Sequence, residues 1–120
     1  MWSYCSATGN LSQNGTLVGT GYSGCGEGLN NPKLENETGI GPLPRGSYII
    51  KPFFDDPGGK GPIVAHLDPT QSINTFGRAG FMIHGDNAAE NHTASHGCII
   101  LARDIRQQIA TSGDNALEVV

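Results

Sequence analysis

The sequence predicts a mainly β domain of short strands with one helix near the C-terminus. Three observations lead there. Eighteen glycines and seven prolines are spread along 120 residues, and such frequent breakers suit short strands joined by turns better than a helical bundle. Apolar runs are brief and rich in β-branched or aromatic residues, as in Tyr48-Ile49-Ile50 and Phe81-Met82-Ile83. Helical spacing appears once, after Leu101. The length fits a single domain, residues 1–120.

Taken in order, residues 1–25 read as a hairpin or meander. WSYCSATG, the stretch around Leu11 and TLVGTGYSG are separated by turn signals at Gly9-Asn10 and Asn14-Gly15. Residues 26–41 have little periodicity and read as a long loop. In GPLPRGSYIIKPFF, Pro44 and Gly46 make a tight turn and Ser47 begins a strand. DDPGGKGP is a loop and IVAHL a short strand; DPTQSINTFGRAG is mostly irregular. FMIHG is apolar up to His84, as in a buried strand whose end delivers a polar side chain. In ARDIRQQIATSG, Leu101, Ile105 and Ile109 recur at i, i+4, i+8 with charges between them, and Gly113 stops the helix. ALEVV supplies a last strand.

The net charge is −4 and no run of Lys or Arg occurs, which argues against a nucleic-acid partner, since phosphate binding needs clustered cations. No apolar stretch approaches the ~20 residues of a membrane-spanning helix. The start, MWSYCSATGN, has neither a basic n-region nor an apolar h-region, so no secretory signal peptide is expected. The protein then works in the cytosol or leaves by a route that needs no such signal. Cys5, Cys25 and Cys98 make an odd set: Cys5 and Cys25 can pair in an oxidising compartment, or both are reduced, half-buried thiols.

The densest chemistry lies in residues 84–98, HGDNAAENHTASHGC. A cysteine nucleophile needs a thiolate, a base or imidazolium to hold it, and donors for the oxyanion. Cys98 follows Gly97, which permits a sharp turn whose Gly97 and Cys98 amides can converge on a carbonyl oxygen. His84, 14 residues earlier, ends an apolar strand that would fix its ring. In an extended segment His96 points to the same face as Cys98. A thiol so activated should alkylate well below pH ~8.5.

These residues carry a resemblance. SHGC at 95–98, preceded by a strand ending in His84-Gly85, is similar to the catalytic motif of the L,D-transpeptidase (YkuD-like) family. Pro44-Arg45-Gly46-Ser47-Tyr48 looks like its upstream turn. The combination of GYSG, NNP, GPLPRGSY, GRAGFMIHGD and ASHGCIIL most resembles the type VI secretion L,D-transpeptidase effectors. The resemblance implies a β-sandwich or barrel of short strands and no cofactor. It makes Cys98 the acylated nucleophile and His84 the general base, oriented by the Gly85 carbonyl. His96 and the Gly97 and Cys98 amides would line the oxyanion site, with Ser95 in the same motif. The substrate would be a peptidoglycan stem peptide, and the reaction L,D-carboxypeptidase cleavage or D-amino-acid exchange. Delivery by a type VI system into a target periplasm would explain the absent signal peptide, and a cognate immunity protein would protect the producer. The chain departs from the family at Ile100, where many members carry Arg; Arg45, Arg78 and Arg103 are candidates to replace it.

Other readings are weaker. His92, His96 and Cys98 with Asp86 or His84 offer N, S and O ligands, but H-x3-H-x-C matches no common zinc arrangement. Papain-like or amidase-type cysteine peptidases place Cys before His, the reverse of the order here. A non-catalytic cell-wall module is the non-enzyme alternative. His66 and His92 read as structural or solvated, Asp55-Asp56 as a solvated turn, and the Gly-rich runs as turns, since no Lys-Ser/Thr follows them.

Overall fold

The computed structural model describes residues 1–70 and 73–120. Its strands are β1 (Trp2–Tyr4), β2 (Asn10–Gln13), β3 (Thr16–Thr20), β4 (Tyr22–Ser23), β5 (Gly46–Ile50), β6 (Phe54–Asp56), β7 (Gly61–Pro69), β8 (Met82–His84), β9 (Ile99–Ile100) and β10 (Ala116–Val119). The helix α1 spans Arg103–Ser112. The mainly β expectation with one C-terminal helix holds.

The strands form one mixed path, β3-β2-β1-β10-β5-β7-β8-β9-β4, with β6 added to β7. Its two ends, β3 and β4, are separated in the chain by Gly21 alone, so the sheet has to wrap round on itself. Gly21 sits at that corner: its N–H donates to Gly9 O at 2.8 Å, and a Cβ there would lie 2.0 Å from Ile100 O. The single strand expected across TLVGTGYSG is therefore broken in two. At the Asn14-Gly15 turn both residues take left-handed φ, 50° and 86°, which matches the twist of a two-residue hairpin.

β7 is longer than the sequence suggests. It pairs with β5 through Ile50↔Leu67, with β8 through Ala65↔Ile83, and with β6 through Phe54↔Val64. Of the loop expected over DDPGGKGP, only residues 57–60 are the tip of the β6–β7 hairpin; Asp55 and Asp56, read as a solvated turn, belong to β6, and Gly61 and Pro62 to β7. Two short 3-10 turns, Gly26–Gly28 and Pro32–Leu34, interrupt the long loop at 26–41. Gln71 and Ser72, within the stretch read as irregular, lie outside the described residues.

The sheet encloses Trp2, Tyr4, Leu11, Tyr48, Ile83, Ile99 and Leu117, each at most 2% exposed. α1 adds Ile105 and Ile109 to this core, as its spacing predicts, and ends at Gly113 with φ 73°. Arg106 departs from the pattern: one of the charges between those apolar positions, it is only 7% exposed. Cys5, Cys25 and Cys98 are all free and half-buried, so the reduced alternative for Cys5 and Cys25 holds.

Candidate active site

The site is built on the parallel pair β8 and β9, in register Ile83↔Ile99 and His84↔Ile100. Parallel strands need a long connection, and here it is the polar loop from Gly85 to Cys98. Ile83 and Ile99 face the core. Alternation then turns His84 to the other face, and continuing the register by one residue puts Cys98 opposite Met82 on that same face. The sheet thus brings together two residues that lie 14 apart in sequence.

His84 is 3% exposed. Its Nδ1 lies 2.8 Å from Gly85 O, a carbonyl that can only accept, so Nδ1 carries the proton and Nε2 presents its lone pair. Among the described residues, that buried Nε2 has no hydrogen-bond partner. Burial pushes the His84 pKa below 6.5; the Gly85 carbonyl opposes this, and the charges of Lys60 and Arg106 add to it. The ring is neutral at neutral pH. Cys98 shows the complementary shift. Burial raises its thiol above the usual value, against the opposing effects of the Met82 N–H, Lys60 and Arg78. Cys98 therefore rests as a thiol and His84 as a neutral imidazole, which revises the expectation of a thiol ionised well below pH ~8.5.

Two hydroxyls set the turn before Cys98. Ser95 Oγ donates to Cys98 O at 2.6 Å and accepts from Gly24 N at 2.9 Å. Ser23 Oγ donates to the same carbonyl at 2.8 Å and accepts from Leu43 N. Gly97 has φ 134°, and a Cβ on it would meet Arg78 Nη2 at 2.5 Å. Gly97 N is 3.3 Å from Ser95 Oγ, so the amide assigned to an oxyanion has a competing acceptor within the turn. His96 does not continue an extended strand. It is exposed, with Nδ1 2.8 Å from Gly39 O and 3.7 Å from Cys25 Sγ. It nevertheless shares with His84, Gly85, Asp86 and Lys60 a cleft of about 290 Å³.

Of the three candidate arginines, Arg78 faces the turn before Cys98. Its guanidinium donates to Pro42 O (2.8 Å), Gly41 O (2.9 Å) and His96 O (3.3 Å), and it lies 5.7 Å from the Phe81 ring centre. Arg45 is instead paired with Glu35 at 2.8 Å, and Arg103 is exposed. Arg106 lies behind Gly85, the residue that orients His84. It donates to Leu101 O (3.1 Å), Pro62 O (2.7 Å) and Ile63 O (3.0 Å), and a Cβ on Gly85 would touch its Nη2 at 2.7 Å.

Tyr22 pins the loop: its hydroxyl donates to Asp86 Oδ1 at 2.6 Å and accepts from Ala94 N at 3.2 Å. Burial first, then the bond to Asp86, push that hydroxyl up to about 12. His92 meets the Tyr22 ring edge-on at 4.9 Å, and His66 stacks on Phe54 at 5.3 Å; neither joins the cleft. Among the described residues, no three His, Cys, Asp or Glu side chains converge as metal ligands.

Sequence reasoning missed Ser23, Tyr22, Arg106 and Lys60. Tyr22 and Ser23 lie in GYSG, one of the pieces that carry the resemblance, which offered a signal. Arg106 and Lys60 offered none, because their partners are backbone atoms or a cleft that only the fold creates.

Comparison with curated proteins finds no match. Comparison with family models matches the Tlde1 domain over residues 18–119, which includes every residue of the β8–β9 site. The chain therefore belongs to the Tlde1 domain family, a type VI effector family whose domain is YkuD-like and related to L,D-transpeptidases.

Proposed function

We propose that the protein is a peptidoglycan-modifying cysteine acyltransferase. It acts on stem tetrapeptides as an L,D-carboxypeptidase, as a D-amino-acid-exchanging L,D-transpeptidase, or as both. The observation that carries this reading is the buried Nε2 of His84, without a hydrogen-bond partner among the described residues and held in its basic tautomer by Gly85 O, on the sheet face it shares with Cys98.

Cys98 Sγ attacks the carbonyl carbon of the third stem residue while its proton passes to His84 Nε2. The new C–S bond gives a tetrahedral oxyanion next to the Cys98 amide. Collapse of this species breaks the bond to the terminal D-Ala nitrogen, which takes the proton back from His84 and leaves. The product is a thioester on Cys98. Water attacking it, with His84 again taking a proton, returns the shortened peptide as a carboxylic acid and restores the thiol. A free D-amino acid in place of water gives exchange. A thiol that stays neutral until its base acts is consistent with this sequence of proton transfers, and burial protects it between turnovers.

The family supports use as a type VI effector. Under this reading the chain is delivered into a target-cell periplasm, where trimming of tetrapeptides removes crosslinking donors, and an immunity protein guards the producer by covering the cleft.

The test is mass spectrometry of purified muropeptides incubated with the protein, with and without an added D-amino acid. Loss of the terminal alanine or its replacement is expected. Cys98→Ala should abolish both while remaining folded; turnover retained by that variant would overturn the mechanism.

A further inference from the structure

The cleft that holds His84 has a second wall, the tip of the β6–β7 hairpin, which contributes Lys60. The other cations of the molecule are mostly spent. Arg45 pairs with Glu35 and Lys51 with Asp68, while Arg78 and Arg106 donate to backbone carbonyls. Among the described residues Lys60 has no ion-pair partner. Asp86, the carboxylate lining the same cleft, already accepts from the Tyr22 hydroxyl at 2.6 Å and from Asn87 N at 2.9 Å.

The hairpin tip is built to hold its position. Asp56 Oδ2 accepts from Lys60 N at 2.9 Å, and Asp55 Oδ1 accepts from Ile63 N at 3.1 Å. Ile63 sits at φ 54°, an uncommon conformation for a β-branched residue that persists only where the surroundings impose it. Arg106 imposes it through the Pro62 and Ile63 carbonyls, and the same guanidinium backs Gly85, which orients His84. One side chain thus ties the wall that carries Lys60 to the wall that carries the base.

A cleft with the proposed base His84 on one wall and, on the other, an ammonium that has no ion-pair partner among the described residues suits a peptide cut next to its free end. We infer that Lys60 is the residue that recognises the chain terminus, pairing its ammonium with the α-carboxylate of the terminal residue about to be released. This rests on the proposed function and adds its specificity: chain ends are accepted and internal bonds are not. The field of Lys60 reaches both reacting groups, since its charge lowers the pKa of His84 and of Cys98. Lysine is suited to the task because a compact point charge on a flexible stem can follow the carboxylate of a departing residue.

The experiment compares a stem tetrapeptide ending in a free carboxylate with the same peptide ending in a carboxamide, for the wild type, Lys60→Ala and Lys60→Arg. The wild type should prefer the carboxylate by roughly tenfold or more in kcat/KM, the scale of one charge-assisted hydrogen bond. Lys60→Ala should lose that preference, with the loss mostly in KM for the carboxylate peptide, and Lys60→Arg should keep it. A Lys60→Ala variant that discriminates as the wild type does, or a wild type that does not discriminate, overturns the assignment. If the wild type releases nothing from either peptide, the proposed function falls. Calorimetric binding of the two peptides to Cys98→Ala, with and without Lys60→Ala, then decides on Lys60: equal affinities overturn it, and a preference for the carboxylate that vanishes with Lys60→Ala supports it.

Discussion

At the scale of single residues, His84 and Cys98 have opposite shifts from one main cause. Burial disfavours the charged form of each, so the imidazole stays neutral and the thiol stays protonated. In the proposed mechanism the working form needs a neutral His84, whose pKa burial holds below 6.5. Activity is therefore lost as pH falls through that depressed value and is fully present above it. A kcat/KM profile should rise along an acid limb centred below 6.5 and then stay level through neutral pH; a limb above 6.5 would mean that the attraction of Asp86 outweighs burial of the ring. Alkylation should follow a matching order. Cys5, whose pKa is lowered mainly by its hydrogen bond with Thr8, should be labelled before Cys98 at neutral pH, as peptide mapping would reveal. Cys98 and His84 were legible in the sequence because their chemistry is compressed into one motif, HG followed by SHGC. Arg78 was named only as one of three candidates, because its partners are carbonyls at 41, 42 and 96 that only folding assembles.

At the scale of elements, α1 serves the site as well as the core. Its apolar positions were readable from spacing, whereas the buried Arg106 was not, since helical period alone places it among solvated charges. The carbonyls of Pro62, Ile63 and Leu101 reverse that placement. Arg106→Met keeps an apolar stem but leaves those carbonyls without their donor. Urea denaturation should report a loss of roughly 3 kcal/mol, with activity falling further than stability because Gly85 and the Lys60 hairpin lose a common support. An unchanged midpoint would mean that other donors satisfy those carbonyls. The short strand β6 was missed for a related reason: Phe54, Asp55 and Asp56 have no alternation of their own and become a strand only by pairing with β7.

At the scale of the whole molecule, the mainly β class was legible from breakers and short apolar runs, but the order of strands was not. Pairing such as β1 with β10 joins Trp2 to Leu117, and no local signal encodes a partner so distant. Wrapping of the sheet depends on the Gly21 corner, where any Cβ would collide with the Ile100 carbonyl at 2.0 Å and the Leu101 side chain at 2.7 Å. Gly21→Ala should therefore destabilise the fold by about 3 kcal/mol or more, visible as a lowered thermal midpoint. It should also disturb the site, since Ile100 is the register partner of His84. A variant as stable as the wild type would show that the corner can open without cost.

The position of β10 also governs how the chain is made. It lies between β1 and β5, so the middle of the sheet stays vacant while a ribosome is still adding residues before Ala116. Until then β1 and β5 expose unpaired edges, and high contact order makes the final insertion slow. The nascent polypeptide thus carries its thiol and its imidazole before the strand that completes their scaffold has been added.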